Sequence, residues 1–293
     1  MAKKIKLRKQ LMDVLQEKYD NTQGKSRNDA KQEGRAYDGI YALNTLKTYK
    51  KQLGYFIDYC YDKDVRTYDE AKQEITNYLD YCKEKGLSAW TISTRCNAIC
   101  KAFDMRSEEL DYKLPVRHRA DITRSRGIAE RDSHFSAEKN EQLIELCSAV
   151  GFRRDELAHC KGSNLVQING EYYVHLGKAE HTKGGRDRYA KIFAQDEKEL
   201  RKIVHIFEVA GDGYICPNPP TKMDIHHYRH VYAQRAYKAL ERPLEHLNSK
   251  EIYSCRAEHK GRKFDKNALA MASEYLGHGK GRVSTIVNHY LLG

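Results

Sequence analysis

Between residues 43 and 103, apolar residues recur at intervals of three and four, and this spacing constrains the fold more than any other feature of the sequence. The three runs that follow it are Leu43, Leu46, Tyr49, Leu53, Phe56 and Cys60, then Ala71, Ile75, Tyr78, Leu79 and Cys82, then Ile92, Cys96, Ile99 and Phe103. A helix with one buried face has this period. Gly86 can end the second helix, and Ser88 can cap the third. The sequence therefore predicts a small helical bundle over residues 36–112.

The second half of the chain combines helices with a short β-type passage. Ser136 can cap a helix that runs to Val150, and the strand-like stretches LVQI, EYYVHLG and RYAKIF follow. The turn between the first two is Asn169-Gly170, which is a strong hairpin signal between apolar runs. We expect helices to resume near Asp224. The predicted fold class is mainly α with a small antiparallel β-sheet.

Charge and composition divide the chain into four segments. We interpret residues 1–35 as a mobile N-terminal arm that begins with a possible helix, 36–112 as the bundle and 136–293 as a second domain. The connecting stretch 113–135 holds 6 basic and 3 acidic residues and has no sustained apolar period. It is typical of a linker that follows a phosphate backbone, and an ordinary solvated connector is the alternative.

The composition excludes several classes of protein. Hydrophobic residues make up 40% of the chain, which is too many for a disordered protein, and no apolar run approaches the length of a membrane span. The start MAKKIKLRKQ lacks the apolar core of a signal peptide. The 8 cysteines include no C-x-x-C pair, which argues against a zinc ribbon and for reduced thiols in the cytoplasm. A net charge of +11 favours a polyanionic partner.

Four segments carry candidate functional residues, and each has a simpler interpretation. The segment Gly151–Leu157 places Arg153 after a glycine turn with Glu156 nearby, although a surface ion pair is common. Lys183 lies beside two glycines at a predicted hairpin tip, where lysines often serve solubility alone. His226 and Arg229 are one turn apart at the start of a helix that follows three prolines, and such a pair can grip one phosphate. A histidine-rich solvated helix start is the alternative.

The fourth segment is Tyr275-Leu276-Gly277-His278, followed twelve residues later by Tyr290. With 21 tyrosines in the chain, packing is the simpler explanation for any one of them. The order of all four segments is more informative than each alone. Arg, hairpin Lys, His-x-x-Arg-His, Leu-Gly-His and a late Tyr together resemble the tyrosine recombinase (phage integrase) family, over about residues 40–293. The stretch SAWTISTRCNAICKAF also looks like part of that family's core-binding domain.

The resemblance implies a catalytic role for six residues: Arg153, Lys183, His226, Arg229, His278 and Tyr290. Arg153 and Arg229 would hold the non-bridging phosphate oxygens, and His278 would donate a further hydrogen bond to the phosphate. Tyr290 would be the nucleophile, with His226 as its proton acceptor and Lys183 as general acid. Glu156 and His230 would support these groups. The family's chemistry needs neither a metal nor a cofactor.

The resemblance also implies the architecture and the partners. The bundle and the catalytic domain would form a C-shaped clamp on double-stranded DNA that carries specific recombination sites. On the bundle, Lys47, Lys51 and Arg95 are our candidates for DNA contacts. We expect a monomer that forms a homotetramer on paired sites, resolves a Holliday junction and acts with accessory directionality proteins. The protein would integrate, excise or invert a mobile element. It would be located in the cytoplasm, in association with the nucleoid.

Two alternatives remain open at this stage. One is a type IB topoisomerase-like enzyme that relaxes DNA, and the other is a DNA-binding protein that has lost catalysis. The sequence also departs from the family pattern. An extra basic segment at 241–264 lengthens the interval between Arg229 and His278, and only three residues follow Tyr290. The C-terminal docking helix of many family members is therefore absent or cut off here. We expect the arm and the extra segment to make the contacts between subunits.

Overall fold

The computed structural model describes residues 6–25, 27–118, 121, 135–256, 259–279 and 281–292. The chain divides into two compact units, Met1–Ile122 and Thr123–Gly293. Among the described residues, no helix combines the length and the apolar character that crossing a bilayer requires.

The first unit is built from helices, as the sequence predicts. They are α1 (Leu7–Asp20), α2 (Arg27–Gln32), α3 (Leu43–Asp62), α4 (Tyr68–Gln73), α5 (Ile75–Glu84) and α6 (Ala89–Ala102). Ser88 caps α6, because its side chain accepts a hydrogen bond from the backbone N–H of Thr91. Gly86 adopts a φ of +68° after α5, which a residue with a side chain rarely adopts.

Helix α1 corrects the prediction of a mobile N-terminal arm. Leu7, Leu11 and Leu15 lie on one face of α1 and are buried in the core of the first unit. The same core contains Leu53 of α3 and Ile99 of α6. The apolar spacing of four in α1 is the signal that we undervalued, because it gives this helix a buried face of its own.

The predicted helix over 71–82 is two helices. They meet at Glu74, whose carboxylate accepts hydrogen bonds from Lys63 Nζ at 3.1 Å and Asn77 Nδ2 at 3.1 Å. Thr67 and Glu70 form a capping box that starts α4. The apolar period continues across the break, which is why the sequence pattern does not reveal it.

The second unit combines helices with two small antiparallel sheets. Its elements are α7 (Glu141–Val150), α8 (Arg154–His159), β1 (Leu165–Ile168), β2 (Glu171–Leu176), β3 (Arg188–Lys191), α9 (Glu197–Ala210), α10 (Ile225–Leu240), β4 (Ile252–Ser254), β5 (Lys263–Asp265), α11 (Lys266–Tyr275) and α12 (Val283–Ile286). The fold class is therefore confirmed. A π-helical turn, Val287–Leu291, continues α12.

The predicted hairpin is confirmed. Asn169 and Gly170 connect β1 to β2 with φ values of +51° and +82°, the left-handed conformations that a tight hairpin turn needs. Ile168 pairs with Glu171 next to the turn, and the sheet order is β1-β2-β3.

Helices resume earlier than the sequence analysis predicted. Helix α9 begins at Glu197, where the Asp196 side chain accepts a hydrogen bond from the N–H of Glu199. Ile203 and Phe207 of this helix are buried in the core. The Asp-x-x-Glu start followed by apolar residues at helical spacing was the signal in the sequence.

The extra segment 241–264 folds against the second unit. The segment contains β4 and the start of β5. These two strands pair with each other through three residues of each strand. Arg242 anchors it, because its guanidinium contacts Asp265 Oδ2 at 2.8 Å and Glu251 Oε1 at 2.9 Å. The segment is therefore a folded hairpin in the described residues.

The predicted linker 113–135 lies largely outside the described residues. Its first part packs on the first unit, where Leu114 contacts the apolar core and Arg117 donates a hydrogen bond to Ser93 Oγ.

Candidate active site

Arg153 is positioned by the sharp turn between α7 and α8. Gly151 ends α7 with a φ of +68°, and a Cβ at this residue would lie 2.3 Å from the ring of Tyr232. The turn therefore needs glycine. Arg153 then caps α8 together with Glu156, whose Oε2 accepts the backbone N–H of Arg153 at 2.8 Å. The guanidinium of Arg153 also pairs with Glu156, and 20% of its side chain is exposed.

Arg229 lies on the second turn of helix α10, between two apolar clusters. Tyr228 belongs to the cluster formed with α7, α9 and the sheet, whereas Tyr232 belongs to the cluster formed with α11 and α12. The side chain of Arg229 is only 1% exposed. Arg229 can be buried in this place because other groups compensate its charge.

Glu156 lies at the centre of three guanidiniums. Its Oε2 is 2.8 Å from Arg188 Nη2 and 3.9 Å from Arg229 Nη1, and Arg153 contacts its other oxygen. Burial raises the pKa of Glu156, but Arg188, Arg229 and Arg153 outweigh burial and lower this pKa to about 2. The carboxylate is therefore ionised. Three cations around one anion leave an excess of positive charge, which favours an anionic ligand.

Two backbone carbonyls hold the guanidiniums in place. The oxygen of Gly151 accepts hydrogen bonds from Arg188, at 3.2 Å, and from Arg229. The oxygen of Leu276, which follows α11, accepts from Arg153, at 3.3 Å, and from Arg229. The end of α7 and the end of α11 therefore meet at the same cluster.

The end of α11 also positions His278. Gly277 has a φ of +70° and donates its N–H to the carbonyl of Glu274, while the N–H of His278 bonds to the carbonyl of Ser273. This pair of bonds is the Schellman motif, which turns the chain sharply after a helix. The imidazole of His278 is thereby directed to Tyr290, with Nε2 3.3 Å from the phenolic oxygen.

Tyr290 is a buried tyrosine in the π-helical turn, with 5% of its surface exposed. Its ring centre lies 6.0 Å from that of His278 and 6.4 Å from that of His230. His230 is one residue beyond Arg229 on α10 and is itself 3% exposed. The predicted nucleophile, the histidine of the Leu-Gly-His segment and His230 are therefore neighbours.

The surroundings of His278 keep it neutral. Burial lowers the pKa of its imidazole, and the charges of Arg229 and Arg153 lower it further, to about 3. A neutral imidazole has one acceptor nitrogen, and the tautomer decides which. With the proton on Nδ1, Nε2 can accept the phenolic hydrogen of Tyr290.

We expect the depressed pKa of His278 to make the protein less stable in acid. Its native pKa, about 3, lies below the ordinary value of 6.5, so between these pH values the unfolded chain binds a proton that the native chain does not. Stability is therefore full above pH 6.5 and falls as the pH drops towards 3. At pH 5 the loss reaches about 2 kcal/mol for a fully shielded group, and about 1 kcal/mol for this half-buried one.

Urea unfolding at pH 7.5 and pH 5 measures this effect. The variant His278→Gln should lose about 1 kcal/mol less than the wild type between the two pH values. His205→Gln is the control, because His205 is 75% exposed, and it should behave as the wild type does. An equal loss in His278→Gln and wild type would contradict the assignment.

The structure places two predicted catalytic residues at the surface. Lys183 is exposed in the turn between β2 and β3. His226 is exposed on the first turn of α10, whereas Arg229 on the next turn is buried. The sequence analysis predicts that His226 and Arg229 face one phosphate together. In the structure the His226 side chain is exposed and the Arg229 side chain is buried. The Tyr290 hydroxyl lies 3.3 Å from Nε2 of His278, and the role of His226 as proton acceptor stays a prediction.

Arg154 is excluded from the cluster. Its guanidinium donates to the backbone carbonyls of Pro219 at 3.3 Å, Pro220 at 2.9 Å and Met223. It therefore ties the proline-rich loop before α10 to α8. Of the two adjacent arginines, Arg153 is the one beside Arg229 and Tyr290.

Arg188 is the residue that the sequence analysis missed. It begins β3, in register with Leu176 of β2, and together with Ala190 it faces inward. Alternation in a strand places every second residue on the same face. The signal in the sequence was that Arg188 lies two residues before the apolar Ala190 and therefore on the same face of the strand. The charged residues next to Arg188 made this signal hard to recognise.

On the first unit, the three predicted DNA contacts differ in availability. Lys47 and Lys51 are exposed on α3. Arg95 is instead part of the bundle, because its guanidinium donates to Tyr78 Oη at 2.8 Å and lies over the ring of Tyr55 at 4.5 Å. Its role as a DNA contact, like that of Lys47 and Lys51, stays a prediction.

The chain was compared with known proteins. No protein-family model and no curated protein matches it. Among solved structures, it is similar to the XerH site-specific recombinase bound to its difH substrate, with 15% identity, a TM-score of 0.47, and coverage of 99% of this chain and 89% of that one. It is also similar to the Tn1549 transposon integrase in complex with circular intermediate DNA, with 13% identity, a TM-score of 0.43, and coverage of 96% and 94%.

A third similar structure is that of the XerA recombinase, with 14% identity, a TM-score of 0.30, and coverage of 97% of this chain and 94% of that one. Each of these solved structures is a recombinase or an integrase.

Proposed function

We propose that this protein is a site-specific DNA recombinase or integrase that breaks and rejoins DNA through a covalent bond to Tyr290. One observation carries the proposal. The hydroxyl of Tyr290 lies 3.3 Å from the imidazole of His278, beside a cluster of arginines with an excess of positive charge. A nucleophile, a neutral base and cations for a phosphate are the groups that transfer of a phosphodiester to a tyrosine needs.

The arginines would stabilise the phosphate as negative charge develops on it. Arg153 keeps a fifth of its side chain exposed, so it is the guanidinium that a phosphate meets first. Arg229 uses one nitrogen for the carbonyl of Gly151 and another for that of Leu276. A guanidinium has five N–H donors, so further donors remain for a non-bridging oxygen. Glu156 holds both arginines before the DNA arrives.

The proton of the tyrosine would pass to His278. Tyr290 Oη attacks phosphorus, the bond from phosphorus to the 5′ oxygen breaks, and the phenolic proton moves to Nε2. Burial and then the charges of the arginines disfavour a charged imidazole, and together they lower the pKa of His278. A bound phosphate carries the opposite charge and offsets the arginines, so DNA itself raises the pKa of the base. Lys183 would protonate the leaving oxygen once its turn closes on the DNA.

The products would be a 3′-phosphotyrosine and a free 5′ hydroxyl. The covalent bond conserves the energy of the phosphodiester, so a 5′ hydroxyl from another strand can reseal the DNA without ATP. By the family resemblance, two such rounds in a homotetramer on paired sites would pass through a Holliday junction. In the same proposal, the protein recombines the ends of a mobile element and acts together with accessory directionality proteins. The C-shaped clamp stays a prediction.

Covalent selection tests the proposal and identifies the target. The protein is incubated with fragments of a genomic library or with random duplexes, denatured, and the DNA that stays attached is sequenced. A shared sequence motif, lost in the Tyr290→Phe variant, is the expected result. Attachment and plasmid relaxation without any motif would indicate a topoisomerase-like enzyme. DNA binding with no covalent product from either library would indicate a protein without catalysis.

We expect Lys183→Ala to slow cleavage, because the leaving oxygen then departs without a proton. The defect should be about 100-fold on ordinary DNA and nearly absent on DNA whose leaving 5′ oxygen is replaced by sulfur, since a thiolate leaves unprotonated. Lys178→Ala is the matched control, because Lys178 is an exposed lysine at the same turn. Equal defects of Lys183→Ala on both substrates would remove Lys183 from the role of general acid.

A further inference from the structure

Arg188 is an arginine buried on the inner face of a sheet, so its charge needs compensating partners. Its side chain is 2% exposed, although it lies at the edge of the turn that carries the exposed Lys183. Burying a guanidinium costs several kcal/mol unless partners compensate it well. Within the described residues, its Nε has no hydrogen-bond partner, so the compensation comes from the two terminal nitrogens.

These two nitrogens join three separate segments. Nη2 donates to Glu156 Oε2 at 2.8 Å and to the carbonyl of Gly151 at 3.2 Å. Nη1 donates to the carbonyl of Tyr275. Gly151 lies two residues before Arg153, and Tyr275 lies three residues before His278. One side chain therefore links the segment of the phosphate-binding arginine to the segment of the base.

The turn after α11 is shaped around Arg188. A Cβ on Gly277 would lie 2.9 Å from Cδ of Arg188, which is closer than real side chains approach. Gly277 is also the residue whose left-handed conformation directs His278 to Tyr290. The stem of Arg188 thus packs directly against the residue that sets the direction of His278.

We propose that Arg188 is a positioning residue, which fixes Glu156 and the Tyr275 carbonyl and so sets the distance between the Arg153–Arg229 pair and the His278–Tyr290 pair. This inference rests on the proposed function for its kinetic consequence. In this proposal Arg188 makes no contact with the DNA. It acts through Glu156 on the arginines and through the turn after α11 on His278.

The geometry predicts how substitutions rank. Arg188→Met keeps much of the length and removes all three hydrogen bonds. Arg188→Lys keeps the charge, but a single Nζ cannot replace two nitrogens that point to Glu156 and Tyr275. Since small displacements of reacting groups cost about 100-fold in rate, we expect Arg188→Met to slow adduct formation about 100-fold at saturating DNA. The rate of adduct formation by Arg188→Lys should fall between the rates of the wild type and of Arg188→Met. Both variants should bind DNA with an affinity within about threefold of the wild type.

Arg235→Met is the matched control. Arg235 also forms an ion pair in the second unit, with Nη1 3.0 Å from Glu199 Oε1 and 17% of its side chain exposed, and it donates to the carbonyl of Phe193. It makes no contact with the arginine cluster among the described residues. Both Met variants should lower the thermal unfolding temperature, whereas only Arg188→Met should slow adduct formation, measured well below each unfolding temperature. The proposal would be overturned if adduct formation slowed in both Met variants in proportion to the fall in their unfolding temperatures.

A double variant tests whether Arg188 acts through Glu156. If it does, Arg188→Met combined with Glu156→Gln should be little slower than the slower single variant, because both remove one shared link. Independent multiplication of the two defects would contradict a shared link. The substrate for these rates is the DNA recovered by covalent selection.

A second readout separates this inference from the proposed function. The imidazole resonances of His278, assigned with His278→Gln in histidine-labelled protein without DNA, should shift in Arg188→Met and stay in place in Arg235→Met. If the wild type forms no adduct with any DNA, the proposed function fails, and these resonances still decide whether Arg188 positions His278. Unmoved resonances in a folded Arg188→Met variant would overturn the inference.

Discussion

Replacing Tyr290 with phenylalanine will abolish the covalent adduct with DNA, a loss of at least about 10⁴-fold. The change removes only the hydroxyl that would attack phosphorus, so affinity for DNA should stay near that of the wild type. Stability should change by only about 1 kcal/mol, the usual net contribution of one hydrogen bond such as that to His278. A denaturing gel with labelled nicked target DNA measures the adduct.

Tyr275→Phe is the control for this experiment. Tyr275 is the neighbouring tyrosine at the end of α11, and the residue before Tyr290 is a histidine. We expect Tyr275→Phe to form the adduct. If Tyr290→Phe still forms it and Tyr275→Phe does not, the nucleophile is Tyr275 and the proposed arrangement is wrong.

Replacing Arg229 with lysine will reduce cleavage by about 10²- to 10³-fold at saturating DNA, the range found when one donor to a developing oxyanion is removed. A lysine keeps the charge but cannot bond to the carbonyls of Gly151 and Leu276 and also to a phosphate in fork geometry. Single-turnover adduct formation measures the loss, and a filter-binding assay should show affinity for DNA within about threefold.

Arg235→Lys controls for the loss of an ion-paired, partly buried guanidinium elsewhere in the same unit. It should cleave at close to the wild-type rate, because Arg235 pairs with Glu199 and not with Glu156. Similar rates for Arg229→Lys and Arg235→Lys would mean that Arg229 supports the fold alone and leaves the phosphate to other groups.

Much of the fold follows from patterns that a single sequence displays. The bundle, the cap at Ser88 and the hairpin at Asn169-Gly170 are local, because their signals lie within a few residues of one another. The burial of α1 and the break at Glu74 were not predicted. The apolar spacing of four in α1 indicated a buried face, but the surface that covers this face is formed by α3 and α6, far along the chain.

The site divides in the same way. Arg153, Glu156, Arg229, His278 and Tyr290 could be selected by residue type and order, and the structure brings them together. Their partners could not be selected in this way. The contact between His278 and Tyr290 depends on the turn at Gly277 and on the π-helical turn. Arg188 joins segments that are about 30 and 90 residues away along the chain.

The shared carbonyl of Leu276 has a consequence for how the protein meets its substrate. Because this oxygen already accepts from Arg153 and Arg229, the rotamers of both side chains are fixed while the chain folds. An arginine loses up to about 2 kcal/mol of side-chain entropy when it is immobilised. That cost is borne by folding, so in the proposed reaction an arriving phosphate meets donors that are already aligned.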